Sequence, residues 1–148
     1  MRLACRLGAL CAGADDVLCE LFSELGELLG IAHQLDNDCH DLYYLLQSET
    51  SAVPPAQAEN ITRSFKTDLV RRKKTLPVVL AARTESSLQE VSVPVDIEKK
   101  EEHVRALHEG IIATWGICLL YRERARDRLQ LIEDQRPIAP ELHMLLNL

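Results

Sequence analysis

Asp16-Val17-Leu18-Cys19-Glu20-Leu21-Phe22-Ser23-Glu24-Leu25-Gly26-Glu27-Leu28-Leu29-Gly30-Ile31-Ala32-His33-Gln34-Leu35 decides the fold. Leu18, Leu21, Phe22, Leu25, Leu28, Leu29, Ala32 and Leu35 recur every three or four residues, the period that places an apolar stripe along one side of an α-helix. The pattern predicts one long helix over 16–47. Asp15 or Asp16 can cap its start, where a carboxylate meets unpaired N–H groups and the positive helix end. Gly26 and Gly30 lie in the interior, and each costs about 1 kcal/mol against alanine there. Two glycines four apart predict that another backbone or a ligand comes close on that face.

Working outward, residues 2–12 share the helical period and stop at Gly13, which reads as the end of a buried helix. No capping residue precedes this pattern, so it reads as beginning inside an element. Residues 48–62 surround Pro54-Pro55 with Ser, Thr, Gln and Asn and predict a loop. Residues 63–74 read as a polar, basic connection. Thr75-Leu76-Pro77 opens a short helix through about Arg83, with proline tolerated in the first turn. A second loop covers 84–97. Helices follow over about 97–110 and on to Gln135, with Gly110 either breaking or bending the pair. Pro137 and Pro140 stop the second, and 140–147 forms a short terminal helix. With no repeats and no strand pattern, the expectation is an all-α antiparallel helical bundle forming a single domain over 1–148.

Composition narrows the function. The 148 residues are long enough for a real core, and their net charge of −6 argues against nucleic acid as a partner. The charge is unevenly spread. Residues 1–60 hold 2 basic and 10 acidic side chains, residues 61–100 hold 9 and 5, and residues 101–148 hold 6 and 8. An acidic first part followed by a basic segment suits a metal site facing an anion site. The five cysteines, Cys5, Cys11, Cys19, Cys39 and Cys118, have no paired spacing and read as reduced thiols. Ile111 to Tyr121 is too short to span a bilayer, and Arg6 interrupts the apolar start that a signal peptide would need. The expected location is the cytoplasm, with no transmembrane segment.

Two motifs carry chemistry. Gln34-Leu35-Asp36-Asn37-Asp38-Cys39-His40-Asp41 continues the long helix. Gln34, Asn37, Asp38 and Asp41 line one stripe, because positions three and four apart share a face, while Asp36 points elsewhere. Acids set among leucines are costly to bury unless a cation neutralises them. Two carboxylates about 5–6 Å apart repel by about 3 kcal/mol at an effective dielectric of about 20. A divalent ion turns that repulsion into attraction, and oxygen-only donors suit Mg²⁺. A solvated acidic helix face fits the same spacing. Cys39 and His40 are adjacent and cannot share a helical face, which argues against zinc. His33 reads as a packed or capped histidine rather than a base. The second motif is Lys66-Thr67-Asp68-Leu69-Val70-Arg71-Arg72-Lys73-Lys74-Thr75-Leu76-Pro77. Its cations, with Arg63, run up to a helix start, and helix starts attract anions. Alone the run also fits a solvated charge cluster.

Together these residues resemble the C-terminal half of the trans-prenyl diphosphate synthases, the polyprenyl synthetase family. That family carries Q-x-x-D-D-x-x-D on a long helix, matched by Gln34 to Asp41, and D-L-x-x-G-K-x-T-L-P, matched by Asp68 to Pro77. Leu7-Gly8-Ala9 and Ala12-Gly13-Ala14 look like the helix before the acidic motif. The match is strongest over 1–83 and looser through the helices over 97–148. The resemblance implies a partial isoprenoid-synthase fold, Mg²⁺ as cofactor, and condensation of an allylic diphosphate with isopentenyl diphosphate. It implies that Asp38 and Asp41 hold Mg²⁺, with Asn37 a weaker neutral partner. Gln34 would support the reacting centre, and Lys73 and Arg63 would meet the diphosphate. Asn37 and Arg72 depart from the family pattern, replacing an aspartate and a glycine. The family's first aspartate-rich motif is expected upstream of Met1. The chain is therefore expected to be one half of a larger active unit, as a homo- or hetero-oligomer. The alternatives are a non-catalytic helical subunit that pairs with a full-length synthase, or a terpene cyclase of the same fold.

Overall fold

A computed structural model describes residues 1–50, 74–84 and 97–144. All regular structure among them is helical: α1 (Arg2–Cys11), α2 (Asp16–Thr50), α3 (Leu76–Thr84), α4 (Ile97–Glu133) and α5 (Glu141–Met144). The loops expected over 51–73 and 85–96 lie outside the described residues, as do residues 145–148. Two compact units emerge, one formed by Met1–Leu35 with Gly116–Leu148 and the other by Asp36–Trp115.

The first unit is built on the stripe that opened the sequence. Leu18 and Leu25 of α2 bury against Ala125, Leu129 and Ile132 of α4, with Phe22, Leu29, Ile138 and Leu142 packed around them. Each such leucine or isoleucine contributes about 1.5–3 kcal/mol. Gly13 turns the chain between α1 and α2 with φ of 74°, a left-handed conformation that glycine adopts without a Cβ clash. Asp15 caps α2, its Oδ1 accepting from the Leu18 N–H at 2.8 Å. Asp15→Ala is expected to cost about 1 kcal/mol, read as a lower urea midpoint; an unchanged midpoint would deny the cap any role.

Gly26 has the role its spacing predicts. A Cβ there would lie 2.6 Å from Cys5 Sγ and 3.0 Å from the Met1 carbonyl oxygen, so α1 crosses α2 at this point. Ion pairs fasten the crossing: Arg2 to Glu20 at 3.2 Å and to Glu27 at 3.0 Å, and Arg6 to Glu20 at 3.2 Å. These pairs are half exposed, so each is worth at most about 1 kcal/mol. Arg2 Nε also donates to the buried Ser23 hydroxyl at 3.1 Å. The expected burial of residues 2–12 is not what the fold shows. Only Ala9 of α1 is buried, and Leu3, Leu7 and Leu10 face outward. The inward side carries Arg2, Cys5 and Arg6, which meet α2, and the buried Ala9.

In the second unit, Cys39, Leu42 and Leu46 of α2 form a core with Ile111 of α4. Val78 of α3 and Val104, Leu107 and Trp115 of α4 pack against it. Gly110 neither breaks nor ends its helix, because α4 runs through it to Glu133. The end of α4 falls just before Pro137, where the Gln135 and Arg136 N–H groups close on the Ile132 carbonyl. No helix among the described residues is long and apolar enough to cross a membrane.

Candidate functional site

The acidic stripe lies on α2 as a regular helix places it. Asp41, Asn37 and Gln34 are exposed, and Asp38 is half-buried. The core-facing positions of this stretch are Cys39, Leu42 and Leu46. The stripe runs beside that core face, so the carboxylates are not buried among leucines as the composition of the helix alone suggested. Water screens them, and their mutual repulsion falls toward about 1 kcal/mol. They remain three residues apart on one side of one helix, a spacing that lets two carboxylates share an ion.

The neighbours of the stripe turn away from it. Cys39 is fully buried and its thiol donates toward the Ile111 carbonyl oxygen at 3.7 Å. His40 stays exposed. Its Nδ1 donates to the Asp36 carbonyl oxygen at 3.0 Å, and the Asp36 carboxylate lies 3.5 Å away. The ring stands edge-on to Trp115, with centroids 6.3 Å apart. Asp36 thus points elsewhere, as its helical position predicts, and its role in holding His40 is one that motif spacing did not reveal. Their spacing of four residues is the signal that pairs them. Among the described residues, no three His, Cys, Asp or Glu side chains form a group able to hold a metal ion. The stripe supplies oxygen donors only, two carboxylates with an amide beside them. That set fits Mg²⁺, which takes one or two protein carboxylates and fills its other positions with water and phosphate oxygens.

Arg63 and the cations Lys66, Arg71, Arg72 and Lys73 of the basic motif lie outside the described residues. The end of the motif lies within them. Lys74 is exposed and Thr75 precedes α3, its carbonyl accepting from the Val79 N–H at 3.0 Å. Pro77 in the first turn is buried. Opposite it lies Gly110, where a Cβ would fall on the Pro77 carbonyl oxygen and 3.2 Å from the Ala81 nitrogen. Thr114 Oγ1 donates to the Gly110 carbonyl oxygen at 2.8 Å, which completes a dry contact. The start of α3, and with it the point where the basic segment ends, is therefore seated on a glycine in α4. Sequence reading singled out Gly110 only as a break or bend. A glycine kept inside an unbroken helix was the available signal for a close helix crossing.

The Polyprenyl synthetase family model matches residues 1–112, about three quarters of the chain. The chain belongs to the polyprenyl synthetase family. Geranylgeranyl diphosphate synthase of Methanosarcina mazei is 28% identical over 155 aligned positions, covering 98% of this chain and 41% of the relative. This polyprenyl synthetase chain thus spans about two fifths of the length of the curated relative it matches. No solved structure matches it. The family match includes both the acidic stripe and the basic motif.

Proposed function

We propose that the chain is the C-terminal portion of a prenyl diphosphate synthase and takes part in Mg²⁺-dependent condensation of an allylic diphosphate with isopentenyl diphosphate. The observation that carries this reading is the oxygen stripe of half-buried Asp38 and exposed Asp41 on α2, in the same compact unit as the seated start of α3. Family membership and the relative named for geranylgeranyl diphosphate support it.

In this reading Asp38 and Asp41 hold Mg²⁺ directly or through water, and Asn37 adds a neutral oxygen. Bound Mg²⁺ would draw off the negative charge that grows on a departing pyrophosphate. Lys73 and Arg63 meet the same phosphate oxygens, and cations placed where charge develops favour its departure. Gln34 supports the reacting centre one turn before Asp38. Two carboxylates would leave the other Mg²⁺ positions to water and phosphate oxygens, and the family's first acidic motif, from elsewhere in the polypeptide or from another chain, would add carboxylates of its own. Asn37, neutral where the family has an aspartate, favours a second reading in which the chain pairs with a full-length synthase and tunes it without catalysing.

Release of pyrophosphate from geranyl or farnesyl diphosphate with isopentenyl diphosphate and Mg²⁺ tests the reading. Activity that needs both the chain and its complementary acidic helix supports it; none, alone or with that partner, removes the catalytic claim. Lys73→Ala is expected to weaken diphosphate affinity by about ten-fold, near 1.5 kcal/mol for a lost charged hydrogen bond. The loss should shrink as salt is raised, because salt screens the contact. A loss independent of salt would point to misfolding instead.

A further inference from the structure

We infer that Cys39 is a positioning residue, whose thiol seats the acidic turn of α2 on the same short stretch of α4 that carries the start of α3. This rests on the reading of the stripe and the start of α3 as two sides of one diphosphate site. Cys39 lies between Asp38 and His40 and is fully buried, so it cannot touch a ligand itself. Its Sγ donates to the Ile111 carbonyl oxygen at 3.7 Å. One residue earlier, Gly110 meets the first turn of α3, where a Cβ would fall on the Pro77 carbonyl oxygen. Thr114 Oγ1 donates to the Gly110 carbonyl oxygen at 2.8 Å and holds that backbone. Cys39, Pro77, Ile111 and Thr114 are all fully buried and belong to one compact unit. Two elements that carry the proposed chemistry thus rest on adjacent residues of a third.

The size and chemistry of residue 39 set the contact. A helix carbonyl accepts the N–H four residues on, and its second lone pair is open to a side-chain donor. The Cys39 thiol takes that place at Ile111. It is also a small side chain, so α2 comes close to the backbone of α4 at this point. A branched side chain at 39 would lose the donor and push α2 outward, because overpacking forces backbone shifts. Asp38 and Asp41 would move together, since one helix fixes their mutual spacing. What would change is their distance from α3, which stays seated on Gly110. A residue that merely filled the core would alter stability and leave that distance as it was.

Cys39→Val and Cys39→Ser test this in the 148-residue chain. Serine keeps a small donor and valine does not. Trp115 is the single tryptophan, 6.3 Å from His40 and 6.2 Å from Tyr43 between ring centroids. Its emission therefore reports the seat of α2 on α4 without any ligand. With helicity unchanged, Cys39→Val should shift that emission to the red. It should weaken geranyl diphosphate binding in Mg²⁺ by at least about ten-fold, since misplacement by about 1 Å is costly in a bridged site. With Mn²⁺ and saturating geranyl diphosphate, it should keep the paramagnetic broadening over 34–42 and lose part of that at the Leu76, Val78 and Val79 amides. Cys39→Ser should match the parent in all three measurements. Parent-like binding by Cys39→Val, equal loss of broadening on both helices, or lost helicity would overturn the proposal, as would a serine variant that binds as weakly as the valine one. A parent that binds no diphosphate would sink the proposed function instead. Trp115 then decides this contact alone: it stands if emission shifts in Cys39→Val only, and falls otherwise.

Discussion

Asp38→Ala and Asp41→Ala should each weaken Mg²⁺-dependent binding of geranyl or farnesyl diphosphate by about ten- to hundred-fold, with far-ultraviolet circular dichroism unchanged. The size follows from losing one charged oxygen contact, about 1.5–3 kcal/mol. The unchanged fold follows from where the side chains sit. Asp41 is exposed and Asp38 half-buried, while the packing of this part of α2 is carried by Cys39, Leu42 and Leu46. Asp36→Ala is the internal control. Its carboxylate faces His40 four residues on, off the stripe, so its effect on binding should stay within about two-fold. Equal losses from Asp36 and Asp38 would mean that general negative charge, not the stripe, holds the ligand. Calorimetry at constant ionic strength separates these outcomes.

Two glycines in α4 should respond to alanine with opposite signs. Propensity alone gives each substitution about 1 kcal/mol of added stability in a helix interior. Gly116 has nothing within 4 Å of the new Cβ and should gain up to that amount. Gly110 meets backbone: the Pro77 carbonyl oxygen, the Pro77 carbonyl carbon at 3.1 Å and the Ala81 nitrogen at 3.2 Å. Backbone cannot swing aside as a side chain can, so α3 must shift away from α4. Overpacking of this kind costs about 1–3 kcal/mol, occasionally more, which outweighs the propensity gain. Gly110→Ala should therefore lower the urea midpoint and Gly116→Ala should raise it. Because α3 begins where the basic segment ends, Gly110→Ala should also loosen diphosphate binding. A stabilised Gly110→Ala protein would show that the crossing of Pro77 over Gly110 is not formed in solution.

Much of the architecture was legible because it depends on local rules. The apolar period over 16–47, a cap at Asp15 or Asp16, Gly13 as the end of the first helix and Pro77 in a first turn each follow from chemistry within a few residues. The spacing of Gly26 announced a close neighbour before any neighbour was known. What stayed illegible depends on tertiary contact. Residues 2–12 have a helical apolar period, yet nothing in a period says which side meets α2, and the arginines of α1 took the inner side. Gly110 read as a break or a bend, because a glycine that interrupts a helix and one that admits a neighbour read alike. The acidic stripe was legible as a stripe from spacing, but its exposure was not. That exposure depends on whether the core of the second unit falls on the stripe or beside it, and Cys39, Leu42 and Leu46 put it beside.

The most direct measurement is nuclear magnetic resonance of the chain with Mn²⁺ in place of Mg²⁺, titrated with geranyl diphosphate. Paramagnetic broadening marks residues near the ion. The account predicts that amides over 34–42 broaden strongly only when metal and diphosphate are both present, and that Asp38→Ala with Asp41→Ala abolishes the effect. A shallow depression lined by Asp16, Val17, Glu20, Leu21 and Glu24 supplies a contrasting surface on the same helix. Broadening centred there, or none over 34–42, would contradict the claim that Asp38 and Asp41 hold a metal-bridged diphosphate.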